Sequence, residues 1–329
     1  MDPNIYTVGW VCAVPVEYVA AQLFLDEEHQ APRGLPKNDH NTYKLGRMGR
    51  HNVVIAVLPD SEHWSSSAAR AAADLHHSFP NVGIGLIVGI GGGAPTRDNQ
   101  VRLGDVVVGS PRHGTGGILP YDSGRVVQDQ PFRISRFLNQ PPPNLLTAVQ
   151  GIKAKYLIYG NRLEATISAI LDGKPKLWEY QRPDPSSDRL YRSDILHPNN
   201  NDASSKCADV CGDGPSSLIF RPPRTEDEDD PAIHYGIIAS ANKMMKDAKI
   251  RDEMAAERNV LCFDMVSAGL VNHFPCLVIR GISNYADTHK NDEWHGYAAM
   301  AAAAYAKDLL SEIVPRRGET EKRIGSQPS

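Results

Sequence analysis

Short β-rich segments alternate with helical patterns along the first 110 residues, and this alternation constrains the fold more than any other feature. The β-rich segments lie at 6–14, 51–58, 82–88 and 101–108, and the helical patterns at 15–27 and 65–79. Parallel strands require long crossover connections, usually helices, which then cover both faces of the sheet. The sequence therefore predicts an α/β fold with a largely parallel or mixed sheet between helices.

The alternation stops in a long polar segment and then resumes. Residues 174–231 are rich in proline, serine, asparagine and aspartate, and 226–230 form an acidic run. Strand patterns return at 234–239, 259–263 and 276–279, and helical patterns at 244–257, from 267, and at 297–313. Because both halves contribute similar strands, we expect one domain, residues 1–314. An irregular excursion at about 174–231 interrupts it, and a disordered tail at 315–329 follows it.

Charge and cysteine content exclude several classes of function. The 329 residues include 35 basic and 39 acidic side chains, for a net charge of −4, so nucleic acid is not an expected partner. No apolar run reaches the roughly 20 residues of a membrane span, and no secretory leader precedes the first strand. With five cysteines, an odd number, we expect a cytoplasmic protein with reduced thiols.

A glycine-rich loop is predicted directly after the strand at 82–88. Residues 86–94 read LIVGIGGGA, with four glycines within five positions. Glycine permits positive φ and lets backbone N–H groups approach a ligand, and ligands bind at the carboxyl ends of strands in α/β sheets. We therefore expect ligand contacts from Gly89, Ile90, Gly91 and Gly92; the alternative is a tight turn. The spacing fits neither a Walker loop nor Gly-x-Gly-x-x-Gly.

A second strand end combines glycine with small polar side chains. Residues 279–287 read IRGISNYAD, which places Ser283 and Asn284 just after an apolar run. Polar groups at a strand end are candidates for function, although loop chemistry alone also produces them.

Six segments, taken in order, resemble the fungal nucleoside phosphorylase-like domains of the purine nucleoside phosphorylase/nucleosidase superfamily. They are the two strand ends just described and residues 6–17, 103–108, 233–240 and 262–270. The resemblance covers most of residues 6–313. It implies a three-layer α/β/α sandwich around a mixed, mostly parallel β-sheet. It also implies a homo-oligomer that cleaves the N-glycosidic bond of a purine nucleoside, a small-molecule substrate, without a cofactor.

The resemblance assigns catalytic roles to three residues. Glu17 matches the glutamate that places water in hydrolytic relatives; its alternative is a solvated position on the first helix. Ser283 and Asn284 match the segment of the base-protonating aspartate, and Val266 stands where relatives carry the ribose-binding glutamate. Asparagine is no general acid, a role worth roughly 10²–10⁴ in rate, and valine accepts no hydrogen bond.

The same resemblance places further substrate-binding candidates around a pocket. They are Ser240, Asn242, Met244, Phe263, Asp264, Met265, His63 and Trp64. For the methionines, filling of the core is the alternative. Residues 59–64 read PDSEHW where relatives have a phosphate-contacting glycine-rich loop, and Glu62 would repel phosphate. Hydrolysis is therefore favoured over phosphorolysis.

Three functions remain open on these residues. The first is cleavage of a purine nucleoside, altered by the changes at Val266 and Asn284. The second is an enzyme repurposed for a non-nucleoside metabolite in the same pocket. The third is a non-catalytic nucleoside-binding or sensing module, which is disfavoured because this sequence carries no repeat array or triphosphatase motif.

One cluster in the excursion suits zinc by residue type but not by spacing. His197, Cys207 and Cys211 offer an imidazole and two thiols within fifteen residues. The Cys-x3-Cys spacing is loose, and neither His234 nor Asp209 is a convincing fourth ligand. No metal is predicted.

Overall fold

The computed structural model describes residues 1–32, 34–60, 64–125, 133–134, 138–198, 207–225, 228–289 and 292–315, without the side chains of 64, 65, 124, 125, 133 and 134. The strands are β1 (Val8–Cys12), β2 (Glu27–His29), β3 (Thr42–Met48), β4 (His51–Val57), β5 (Ile84–Gly93), β6 (Val106–Gly109), β7 (Ile118–Pro120), β8 (Gly124–Arg125), β9 (Arg133–Ile134), β10 (Ile233–Ser240), β11 (Val260–Asp264) and β12 (Cys276–Asn284). The helices are α1 (Pro15–Leu23), α2 (Trp64–Ser78), α3 (Pro143–Tyr159), α4 (Leu163–Leu171), α5 (Cys207–Cys211), α6 (Ala248–Arg258), α7 (Ser267–Leu270) and α8 (His295–Glu312).

Ten of the strands form one mixed sheet, as the sequence predicts. Its order is β11-β10-β6-β12-β5-β1-β4-β3-β2, with β7 paired to β10, and β11 also pairs with β5. The central strands β1, β4, β5 and β12 run parallel. Strand β3 is antiparallel to β2 and β4, β6 is antiparallel to β12 but parallel to β10, and the β11–β5 contact is antiparallel. The β8–β9 pair is separate.

Helices cover both faces of the sheet. Gly9 pairs with Gly85 of β5, and a Cβ at Gly9 would lie 3.0 Å from Leu75 of α2. Gly281 pairs with Ile90 of β5, and a Cβ there would lie 1.8 Å from the carbonyl of Ala298 in α8. Side chains alternate along β5, and 85 and 90 differ by an odd number, so α2 and α8 lie on opposite faces. This is the expected α/β/α arrangement.

The predicted glycine-rich loop is wrong, and so is the alternative of a tight turn, because the segment is strand. β5 continues to Gly93, paired with β12 as far as Gly92 and with β11 at Gly92 and Gly93. Its glycines serve close packing rather than positive φ: a Cβ at Gly91 would lie 2.6 Å from the sulfur of Cys262. β12 is also longer than predicted and includes Ser283 and Asn284.

The helix predicted at 244–257 begins later than expected. The Asp247 side chain accepts hydrogen bonds from the backbone N–H groups of Lys249 and Ile250, so it caps α6, which starts at Ala248. Residues 244–247 are therefore a loop beside the end of β10. The helices α3 and α4 lie in a region where no element is predicted.

The excursion contains little regular structure where it is described. It holds short 3-10 turns at Pro175–Tyr180 and Pro185–Ser187, and the single turn α5. Arg224 anchors it to the sheet through a 2.6 Å ion pair with the buried Asp105 beside β6. Of the predicted tail, residues 316–329 lie outside the described chain. Among the described helices, none is long and apolar enough to cross a membrane.

Candidate functional site

A cavity of about 460 Å³ lies where β1, β5, β11 and β12 end, and it collects most of the predicted site residues. The predicted residues in its lining are Glu17, Ile90, Gly91, Gly92, Met244, Phe263, Asp264, Met265, Val266, Ser283 and Asn284. Its walls are largely apolar, and its few polar groups converge from β5, β11, β12 and α1. A cavity of this size and character is typical of a small-molecule site.

Glu17 is buried and fixed by the backbone, not solvated on the surface of α1. Its Oε2 accepts hydrogen bonds from the N–H groups of Ala13 (2.6 Å) and Val14 (3.2 Å), and its Oε1 accepts one from Ile90 (2.8 Å). The contact with Val14 closes the first turn of α1, while that with Ile90 ties the helix to β5. Burial raises the pKa of the carboxyl group, although Arg280 and the three N–H donors oppose this.

Gly89 lets Glu17 and Arg280 meet at the polar end of the cavity. A Cβ at this position would lie 2.1 Å from Glu17 Oε1 and 2.6 Å from Arg280 Nη1, so the two atoms are less than about 5 Å apart. Glu17 and Arg280 are not in direct ion-pair contact. The carboxylate paired with Arg280 is that of Asp264. A gap of this width is one that a single water molecule bridges with two ordinary hydrogen bonds.

Arg280 is held rigidly by its pairing with Asp264. Both side chains are 2% exposed, and Asp264 Oδ2 accepts a 2.8 Å hydrogen bond from Arg280 Nε and lies 2.7 Å from Nη2 in an ion pair. The Ser267 hydroxyl also donates to Oδ2. Burial disfavours the charged form of Asp264, but Arg280 together with hydrogen bonds from Ser240 and Ser267 holds its pKa below the ordinary value. Asp264 therefore positions Arg280.

Val266 and Asn284 also form part of the cavity wall. Val266 is 5% exposed and precedes α7, and its side chain forms part of the cavity surface. The Asn284 Oδ1 accepts a 2.9 Å hydrogen bond from the Ala286 N–H, and its Nδ2 donates to the Ser283 hydroxyl at 3.3 Å. These bonds orient the amide so that its NH₂ remains a donor at the cavity.

Several predicted site residues lie elsewhere. Gly89 contacts Glu17 but is not in the lining, and Ser240 is fully buried, with its Oγ accepting from the Ala268 N–H at 2.9 Å. Asn242 is exposed outside the cavity. His63 lies outside the described residues, and Trp64 begins α2 without a described side chain.

Arg280, His295 and Met245 also line the cavity, although the sequence does not single them out. The sequence does contain a signal for Arg280, because this residue interrupts the apolar strand that begins at Cys276. A charged side chain on a strand covered on both faces needs a partner. His295 begins α8, with Nε2 3.6 Å from Asp292 Oδ1, and Met245 lies in the loop before α6. Nothing in their local sequence marks these two.

The described residues of the lining contain no cluster of metal ligands; the described chain has such a cluster at His197, Cys207 and Cys211, outside the lining. All five cysteines are free thiols.

Comparison of the sequence with known proteins gives one curated relative. The chain is similar to a nucleotide-binding leucine-rich repeat (NLR)-like protein of Hyaloscypha variabilis, with 39% identity over 316 residues. The match covers 96% of this chain but only 30% of that protein, so the chain spans less than a third of the relative's length. No family model matches the sequence.

Three solved bacterial enzymes, two nucleosidases and one hydrolase, have a similar fold. A Helicobacter pylori 5′-methylthioadenosine/S-adenosylhomocysteine nucleosidase superposes with a TM-score of 0.57 at 14% identity, covering 94% of this chain and 99% of that one. The Helicobacter pylori futalosine hydrolase gives 0.56 at 14% identity, covering 94% and 98%. A Streptococcus pneumoniae nucleosidase of the first kind gives 0.56 at 15%, covering 94% and 100%. The chain therefore has the α/β fold with a mixed sheet found in these nucleosidases.

Proposed function

We propose that the cavity binds a purine nucleoside-like ligand and that this chain acts mainly as a nucleoside-binding domain. The observation that carries the proposal is the meeting of separate segments, 13–17, 90–92, 244–245, 263–266 and 283–286, in one apolar cavity with few polar groups. This cavity lies in a fold shared with proteins named for cleaving 5′-methylthioadenosine and futalosine.

The polar groups suit a nucleoside better than a phosphate. The cavity's arginine, Arg280, is already paired with Asp264, and the Glu17 carboxylate faces the same end. A phosphate placed there would meet a negative charge without a free guanidinium to bind it. An apolar floor of Phe263 and Met265 offers contact area for a flat heterocycle, and the Asn284 amide offers hydrogen bonds.

Binding without rapid turnover is expected because two positions lack carboxylates. Cleavage of an N-glycosidic bond leaves the bonding electron pair on the base, which needs a proton, and leaves positive charge on the sugar. Asn284 has no proton to give as an acid, and Val266 accepts no hydrogen bond and stabilises no cation. The NLR-like relative supports a sensing role, because there a region like this chain is one part of a longer protein.

Slow hydrolysis is the second candidate, favoured by the gap between Glu17 and Arg280. A water held there would attack the anomeric carbon, pass its proton to Glu17, and displace the base. Burial raises the pKa of Glu17, which makes its carboxylate a stronger base. His295, which also lines the cavity, would supply the proton that the departing base needs.

Calorimetric titration of the full chain with adenosine, inosine and guanosine tests the proposal, with chromatographic measurement of free base in the same samples. We expect one site per chain for at least one nucleoside, with little base released. Asn284→Leu should weaken this binding, and the matched control Asn242→Leu, outside the cavity, should not. Absence of binding to all three nucleosides would overturn the proposal. Base release lost in Glu17→Gln would favour the hydrolytic candidate.

A further inference from the structure

Three soft metal-binding side chains meet in the excursion, outside the cavity. One ligand atom from each of His197, Cys207 and Cys211 lies within 4.8 Å of the others. His197 Nδ1 is 3.2 Å from the sulfur of Cys211 and 3.5 Å from that of Cys207. The Cys-x3-Cys spacing, loose in an extended chain, is compact here because α5 places its first and last residues one helical turn apart on one face.

These distances are those of ligands around a small tetrahedral ion. Zinc bonds of about 2.3 Å to sulfur and about 2.0 Å to nitrogen, at tetrahedral angles, place the two ligand atoms about 3.5 Å apart. The imidazole and the two thiols would therefore need little movement to share one ion. Thiolate and imidazole ligands together favour zinc over the hard cations magnesium and calcium.

His289, outside the excursion, is the candidate fourth ligand; because its ring nitrogens are not among the atoms that lie within 4.8 Å of one another, its ring must move toward the other three. Its side chain is 6% exposed, and among the described residues neither ring nitrogen has a hydrogen-bond partner. The ring stacks on Tyr191 at 3.9 Å and lies edge-on to His197 at 5.9 Å between centroids. An imidazole buried without hydrogen bonds is costly, and ligation of a metal would remove that cost.

The neighbouring carboxylate suggests which nitrogen of His289 binds. Asp287 Oδ2 lies 3.4 Å from Nδ1, which leaves Nε2 for a metal. A carboxylate behind a histidine ligand is the usual outer-shell arrangement at zinc sites, where it fixes the tautomer and the orientation of the ring.

We propose that His197, Cys207, Cys211 and His289 bind one structural zinc ion. Binding would displace two thiol protons and join the excursion to the segment that follows β12. That junction already exists as a hydrogen bond: the His197 N–H donates to Thr288 Oγ1 at 2.9 Å. The ion would thus fix the chain within a few residues of Asn284, at the end of β12.

The test begins with the wild-type chain, purified under reducing conditions without chelator. Metal analysis should find about one zinc per chain. After zinc is removed, titration with Co²⁺ should give the visible bands of tetrahedral cobalt and a thiolate-to-cobalt charge-transfer band, saturating at one equivalent. Neither readout depends on activity. Substoichiometric zinc together with absence of these bands would overturn the proposal.

Variants then identify the ligands. Cys211→Ser should remove much of the charge-transfer intensity and weaken zinc binding by more than the roughly 10–100-fold that outer-shell changes cause. His289→Ala should lose the tetrahedral cobalt bands. Asp209→Asn, exposed on the same helix between the two cysteines, is the matched control and should bind as wild type. Wild-type affinity in Cys211→Ser would contradict the site, and wild-type bands in His289→Ala would contradict its fourth ligand.

Discussion

Glu17 and Arg280 face each other across Gly89, with Glu17 Oε1 and Arg280 Nη1 less than about 5 Å apart. Other groups hold each side chain in place: three backbone N–H groups donate hydrogen bonds to Glu17, and Asp264 forms an ion pair with Arg280. This paired arrangement defines the charged end of the cavity.

Gly89→Ala should damage both stability and binding. The new Cβ would lie 2.1 Å from Glu17 Oε1 and 2.6 Å from Arg280 Nη1, and both side chains are fixed. Overpacking of this kind costs about 1–3 kcal/mol, which urea unfolding measures. Gly83→Ala is the matched control, because a Cβ there meets nothing within 4 Å. Equal stabilities of the two variants would contradict the geometry at Gly89.

Asp264→Asn should be more destabilising than loss of a surface ion pair. The variant leaves Arg280 buried without its compensating charge, which costs about 3–5 kcal/mol. Glu312→Gln, which breaks the partly exposed pair with Lys155, is the control and should cost about 1 kcal/mol or less. Chemical denaturation of both variants at neutral pH makes the comparison. Similar losses would mean that Arg280 finds another partner.

Glu17→Gln should show a pH-dependent stability difference from wild type. Burial raises the pKa of Glu17 in the folded protein, whereas the unfolded chain titrates near 4.3. The folded state keeps the proton to higher pH, so the stability from Glu17 is full below about pH 4 and falls as pH rises through the folded pKa.

Glutamine does not titrate, and its NH₂ group leaves one backbone donor unsatisfied, at a cost of about 1–3 kcal/mol. The gap in unfolding free energy between wild type and Glu17→Gln should therefore narrow between about pH 5 and about pH 8. Urea titrations at the two pH values measure it. A gap that widens with pH would show that the pKa is lowered rather than raised.

The sequence predicts the fold well because the periodicity of apolar residues, a local property, indicates both the type of element and the face that is buried. The strand patterns at 51–58 and 234–239 correspond to β4 and β10, and the mixed sheet between helices is confirmed. The prediction failed for the glycine-rich segment at 89–93. Four glycines within five residues indicate a loop when only the local sequence is considered. Pairing of β5 with both β11 and β12 instead keeps these residues extended.

The site is only partly predictable, since its geometry depends on contacts between distant segments. Motif order identifies Glu17, Val266 and Asn284, which all line the cavity. It misses His295, which reaches the cavity only because α8 packs across β5 and β12. It also cannot separate Met244, in the lining, from Asn242, two residues earlier and outside it.

Introducing two carboxylates should create or increase cleavage activity. Val266→Glu would place an acceptor on the cavity wall, and Asn284→Asp would place an acid at the end of β12. A single acid of this kind contributes roughly 10²–10⁴ in rate, so the double variant should release base at least about 100-fold faster than wild type. Steady-state release of free base is the measurement. No gain in the folded variant would favour a cavity remodelled for a non-nucleoside metabolite.

A single-turnover experiment tests the central claim most directly. Wild-type protein is held in excess over the labelled purine nucleoside that binds best, and both bound ligand and free base are followed over time. We predict that the nucleoside is bound and recovered intact over many minutes. Failure to bind, or complete conversion of the bound nucleoside to free base within seconds, would contradict the account.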